Sequence, residues 1–265
     1  MKEMLKNINR FLKSSGINLT QLINSIEGIS QFYKNYQTIK SAMEKSEIFR
    51  QGDFIPCLSD RFNSSGIISE HYFYQDLFVA QLINKNNPVK HVDIGSRLDG
   101  FISHIASFRE IEVFDIREMK KVIPNVTFHR ADLMSRDFNL IDYCDSVSSL
   151  HAIEHFGLGR YGDNVDYFGY LKGLDNIYKM LKSGGRFYFS VPVGGIQRIE
   201  FDAHRIFSLP YLIKLFMDKY QIASFSYIDD NDVLHKNIEP DINNSDHKRS
   251  FNLKFGCGIF ELIKL

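Results

Sequence analysis

The stretch Val89-Lys90-His91-Val92-Asp93-Ile94-Gly95-Ser96-Arg97-Leu98-Asp99-Gly100 marks a change in the grammar of the chain. Before it, apolar residues recur at helical spacing. From Val89 onward, short apolar runs alternate with helical segments. Val89–Ile94, Ile111–Phe114, Val126–His129, Tyr143–Ser148 and Arg186–Val191 each read as a strand, and the clearest intervening helix is Tyr167–Leu181, closed by Ser183-Gly184-Gly185. Strand–helix alternation of this kind predicts an α/β fold with a doubly wound, mostly parallel sheet covered by helices on both faces. After Pro192 come a helix near Leu209–Lys219, a strand at Ile222–Tyr227, a polar loop from Asp229 to Ser250 and a last strand at Lys254–Lys264. The last two strands predict an antiparallel hairpin closing a seven-stranded sheet.

Upstream, residues 69–83 form an aromatic helix with Ser69 as N-cap, stopped at Asn84–Pro88. Turn formers between Gly52 and Gly66 place a boundary there, dividing the chain into an N-terminal helical extension, 1–65, and an α/β domain, 66–265. The extension reads as helical to about Arg50, with Leu5, Ile8, Phe11 and Leu12 on one face. Its basic surplus suits an anionic surface or a partner helix, and covering a core is the plainer reading; a homodimer contact would use the same helices.

With 265 residues, the chain suffices for one sizeable domain and an extension. Twenty-three Phe and 13 Tyr without Trp predict an aromatic-rich core. Lys+Arg and Asp+Glu balance at 32 each, which argues against nucleic acid as partner, since phosphate backbones are met with a basic surplus. Cys57, Cys144 and Cys257 are far apart and read as reduced thiols, and no run reaches the length of a transmembrane segment. The expectation is a cytoplasmic protein acting on a small molecule.

In open α/β sheets ligands bind at the carboxyl ends of the strands. Gly95 lets a ligand approach the backbone after the first strand, yet the Gly-x4-Gly spacing satisfies neither GxGxxG nor GxxxxGK[ST]. Asp93 would repel a pyrophosphate and attract an ammonium group. Asp115 ends the second strand about 20 residues past Gly95, the spacing at which a carboxylate accepts from ribose hydroxyls. After the third strand, Asp132 offers an acceptor for an exocyclic adenine amine, or serves as an ordinary turn Asp.

Asp-x-Gly after strand one, Asp after strand two, Asp-Leu after strand three and Leu181-Lys182-Ser183-Gly184-Gly185 before strand five resemble the class I S-adenosylmethionine-dependent methyltransferases, with their Rossmann-like sheet. More narrowly, His71-Tyr72-Phe73-x-Gln75-Asp76-Leu77, His91-Val92-Asp93-Ile94-Gly95-Ser96-Arg97-x-Asp99-Gly100-Phe101 and Leu150-His151-Ala152-Ile153-Glu154-His155-Phe156-Gly157-Leu158-Gly159-Arg160-Tyr161-Gly162-Asp163 resemble the domain family DUF268, whose bacterial members are often associated with surface-polysaccharide genes. The resemblance spans about Gly66–Ser208; Arg97 replaces the second glycine of the methyltransferase loop. It implies S-adenosylmethionine as cofactor. Asp93, Gly95 and Ser96 would line its methionine end, Asp115 would hold the ribose, and Arg97 and His151 would be further cofactor contacts. Asp132, Leu133 and Ile116 would frame the adenine, and Tyr72 and Gln75 would close over the ligand.

The segment after strand four is where such enzymes place groups facing the transferred methyl. His155 is the candidate base, Glu154 orients it or binds acceptor hydroxyls, and His204 is a second candidate base. Arg160 and Tyr161, in a glycine-rich loop, and Arg205 are candidate acceptor contacts, suiting a sugar- or phosphate-linked acceptor in capsule assembly. Two other readings compete. His151-x-x-Glu154-His155 matches the zinc-hydrolase pattern HxxEH, in which two histidines share one helical face. A non-catalytic nucleoside-binding assembly module would explain Arg97 and the basic extension.

Overall fold

A computed structural model describes residues 11–44, 55–62, 70–239 and 244–265. The chain divides into two compact units, Met1–Ile68 and Ser69–Leu265. In the first, residues 11–14 are helical and the chain breaks at Gly16, whose φ of +83° ends the helix before α1 (Leu19–Met43) begins. The single helical stretch expected to Arg50 is therefore interrupted. Leu5, Ile8 and the expected N-cap Ser69 lie outside the described residues. Leu22, Ile26, Ile29 and Tyr33 on α1 are exposed, so this unit does not bury them in a core of its own.

The second unit carries an eight-stranded sheet flanked by helices. Its strands are β1 (His91–Ile94), β2 (Ile111–Asp115), β3 (Val126–Arg130), β4 (Cys144–Leu150), β5 (Leu181–Val193), β8 (Tyr220–Ile228), β9 (Leu234–His235) and β10 (Gly256–Lys264). A separate small hairpin, β6 (Arg198–Glu200) with β7 (His204–Ile206), follows β5 and leaves no signal in the sequence pattern. The order in the large sheet is β3-β2-β1-β4-β5-β10-β8-β9, with β1 to β5 parallel and β10, β8 and β9 antiparallel. The doubly wound sheet and its closing hairpin are thus as expected. The added strand, β9, lies in what reads as a polar loop, because a two-residue pairing leaves no periodicity to detect.

Val92 and Ile94 join a core with α4 (Gly169–Met180) and α5 (Leu209–Phe216) on one face of the sheet. The other face packs α2 (Glu70–Asn86) and the turn Leu98–Ile102 with α3 (Ser103–Ala106), through Val79, Ile83, Phe101 and Ile105. A strand alternates its side chains, so His91 and Asp93 lie on this second face. Helix α4 ends at Met180 and β5 starts at Leu181, which pairs with Cys144. Ser183-Gly184-Gly185 therefore falls inside the strand and does not cap the helix. Among the described residues no helix is long and apolar enough to cross a membrane.

Candidate active site

Parallel order brings the carboxyl ends of β1 to β4 to one edge, and a cavity of about 280 Å³ opens there. That lies near the lower end of small-molecule sites, roughly 300 Å³ upward. Ile94, Gly95 and Arg97 reach it from β1, and Phe114, Asp115, Ile116 and Arg117 from β2. Ala131, Asp132 and Leu133 follow β3, while His151, Ala152 and His155 follow β4. Tyr72, Met134, Phe156, Tyr161 and Asp163 complete the wall. Gly95 has φ +71°, and a Cβ there would stand 3.1 Å from the Ala152 Cβ, so glycine permits both the turn and its approach to the β4 loop.

Asp93 does not line the cavity. It is fully buried on the opposite sheet face, where Oδ1 accepts from the Ser96 N–H (2.9 Å) and Oδ2 from the Ser96 hydroxyl (2.7 Å) and the Ser148 hydroxyl. Ser96 also accepts from the Leu150 N–H, so the pair ties the β1 turn to β4. Burial pushes the Asp93 carboxyl up to about 7 against these bonds. Gln75 is likewise buried, bonded to Asp76 and Ser190. Asp93, Ser96 and Gln75 therefore shape the site from behind, in place of the expected ligand contacts.

Asp115 is held by its neighbour: Arg117 donates through Nε (3.0 Å) and Nη2 (2.6 Å). The Arg117 guanidinium also lies 4.5 Å from the Tyr161 ring. Asp132 accepts from the Met134 N–H, fixing its turn. Arg97 pairs with Asp99 and lies over Tyr72.

The β4 loop departs from the helix that HxxEH needs. His151 sits at φ +48°, in the left-handed region, and only Ile153–His155 form a short 3₁₀ turn. The two histidines consequently do not share a helical face. Among the described residues no group of three or more His, Cys, Asp or Glu is placed to hold a metal.

What forms instead is a buried dyad: His151 Nδ1 donates to Glu154 Oε1 at 2.8 Å. For His151, desolvation favours neutrality, but nearby Cys257 and Glu154 outweigh it and raise its pKa well above the ordinary value. For Glu154, burial is likewise outweighed, by His151, and its pKa is lowered. The dyad is an imidazolium–carboxylate pair.

His155 Nδ1 lies 2.7 Å from the Ala203 carbonyl oxygen, which can only accept. Nδ1 therefore carries the proton and the neutral ring presents Nε2 as its basic nitrogen, 3.8 Å from Glu154 Oε1. Desolvation lowers its pKa, opposed by Glu154 and the Ala203 bond, so the ring is neutral near pH 7. The β6–β7 hairpin supplies Ala203 and so sets this tautomer.

Of the remaining candidates, Glu154, Arg160, His204 and Arg205 are not on the cavity wall. His204 lies behind His155, with ring centroids 6.4 Å apart, and packs on Phe255. Arg205 is a correction to its expected substrate role. It is 5% exposed and donates to three carbonyls, of Phe156 (2.6 Å), Tyr167 (3.1 Å) and Glu154 (3.2 Å), which makes it the brace of the β4 loop. Arg160 donates to the Ala203 carbonyl beside His155. Asp163, overlooked in the sequence, accepts from the Gly157, Gly159 and Tyr161 N–H groups and holds the glycine-rich loop; the Gly-x-Gly-x-x-Gly-Asp pattern carried that signal.

No curated protein matches the sequence. Among solved structures, the 1,6-didemethyltoxoflavin-N1-methyltransferase of Burkholderia thailandensis, bound to S-adenosylhomocysteine, is 13% identical, with a TM-score of 0.52 over 74% of this chain and 79% of that one. The [4+2]-cyclase SpnF is 12% identical, with a TM-score of 0.50 over 71% and 80%. Identities this low show the shared fold alone, and the pair illustrates that one fold hosts different reactions. Residues 102–254 match the family described as "Caenorhabditis protein of unknown function, DUF268". More than half of the chain lies in that match, and the protein belongs to the DUF268 family.

Proposed function

We propose that the protein is an S-adenosylmethionine-dependent methyltransferase acting on a hydroxyl of a sugar- or phosphate-linked acceptor. The observation that carries this reading is His155: a neutral imidazole with Nε2 as its free basic nitrogen, on the wall of a cavity built from four parallel strand tips. The residues present suit the cofactor. Ile116, Leu133 and Asp132 line the cavity and would frame the base, and Asp115 would offer the ribose a carboxylate. Gly95 admits close approach of the backbone, and the His151–Glu154 dyad keeps two polar atoms unmatched. Bound S-adenosylmethionine would supply an electrophilic methyl group on a sulfonium.

The chain's own task is then alignment and proton removal. As the acceptor oxygen takes the methyl group, its proton passes to His155 Nε2, and Glu154 stabilises the imidazolium so formed. Arg160 and Tyr161, at the loop beside His155, would hold the remainder of the acceptor; a guanidinium there suits a phosphate. Placement in capsule or surface-polysaccharide assembly rests on the family resemblance. The test is incubation with methyl-labelled S-adenosylmethionine and pooled nucleotide sugars and sugar phosphates. Label in a base-stable methyl ether supports the proposal; label only in base-labile esters, or in none of the pool, contradicts it.

A further inference from the structure

Helix α1 has two contrasting faces. On one, Gly28 is buried, and a Cβ at that position would collide with the Leu58 carbonyl oxygen, so glycine permits the 55–62 segment to lie against the helix. On the other, Leu19, Leu22, Ile26, Ile29 and Tyr33 are 42–61% exposed. Their alternating steps of three and four residues are the a and d positions of a heptad repeat. At 3.6 residues per turn they form one seam, on the side of the helix away from Gly28. The seam covers 15 residues, about 22 Å of helix, and stops before Lys40, which takes a later a position.

The period and the flanks of the seam select its occupant. A narrow a/d seam keeps apolar side chains in step with a second helix, whereas a helix lying in a membrane surface carries a polar face rich in Lys and Arg. Helix α1 has three charged residues, Glu27, Lys34 and Lys40. The e and g positions beside the seam, Ile23, Ser25, Ser30 and Phe32, are uncharged. In a symmetric pair each flank meets its own chemistry, so charges there would repel an identical copy or select an oppositely charged partner; these flanks do neither. Together with Ile23, the seam leaves roughly 500 Å² of apolar surface in water, enough to mark an interaction site. Two copies would bury about 1,000 Å², where specific interfaces begin. We propose that α1 packs along α1 of a second copy of this chain, so that the protein is a homodimer joined through its N-terminal unit. The pairing is independent of what the cavity binds.

Sedimentation equilibrium of the full chain from about 1 to 100 µM tests it, since an interface of this size gives micromolar association. Wild type is expected to rise from the monomer mass toward twice that mass across the range. Ile26→Glu/Ile29→Glu is expected to weaken the dimer about 100-fold or more, because it buries four charges per pair of helices, and to stay monomeric. Val122→Glu, at a fully exposed position in the other unit, should dimerise as wild type does. Circular dichroism checks that each variant is folded. If the double Glu variant unfolds, Ile26→Ser/Ile29→Ser takes its place, with an expected loss of about 10-fold or more. A dimer that survives these substitutions would place the interface elsewhere and overturn the proposal. A wild-type monomer at every concentration would overturn it too, and pelleting of that monomer with phosphatidylserine vesicles would give the seam to a membrane surface instead.

Discussion

Replacing Arg205 with methionine removes the brace of the β4 loop while keeping an apolar stem of similar reach. Three buried carbonyls, of Glu154, Phe156 and Tyr167, would lose their donor, and the guanidinium would leave the Tyr170 face, now 5.0 Å away. A hydrogen bond to a charged group contributes about 1.5–3 kcal/mol, and the 2.6 Å bond to Phe156 belongs at the strong end. The two longer bonds are weaker and water can rescue part of the loss, so the expected cost is about 3–5 kcal/mol. At this chain length that corresponds to a fall in Tm of roughly 6–20 °C. Urea titration of Arg205→Met and wild type, with thermal melts alongside, measures it. A difference under about 1 kcal/mol would refute the bracing role and return Arg205 to the expected substrate contact.

Three further outcomes follow from the site. The acid limb of kcat/KM should have its midpoint below 6.5, because burial lowers the His155 pKa and keeps the base form into mildly acid solution; His155→Gln should abolish the limb and cut kcat about 10²- to 10⁴-fold, and an unchanged limb would move the base elsewhere. Asp115→Asn should weaken S-adenosylhomocysteine about 10- to 100-fold in a calorimetric titration, and an unchanged affinity would remove it from ribose binding. The Asp93 carboxyl, raised to about 7, gives stability that is complete below its unfolded value near 4 and lost as pH rises through 7. The deficit of Asp93→Asn relative to wild type in thermal melts should therefore shrink from pH 5 to pH 8; a widening gap would contradict the burial argument.

The strand tips were legible because each parallel strand is a short apolar run ending in a chemically distinct residue, and Gly95, Asp115 and Asp132 all reach the cavity. Which face a tip residue takes was not legible. Asp93 differs from Ile94 only by the alternation of the strand, and it turns to Ser96 and Ser148 on the far face. HxxEH reads as a helical metal pattern until the backbone of His151 is seen at positive φ, where the chain leaves β4 and no helix begins. Arg205 and Ala203 were obscured for a different reason: both act through backbone carbonyls brought near by the β6–β7 hairpin, about 40 to 50 residues away in sequence, which no spacing rule reaches.

A crystal of the full chain grown with S-adenosylhomocysteine tests the central claim most directly. The account predicts the nucleoside in the β1–β4 cavity, its base between Ile116 and Leu133, its ribose on Asp115 and its sulfur facing His155. A nucleoside bound anywhere else, or a cavity without one at saturating ligand, would contradict it.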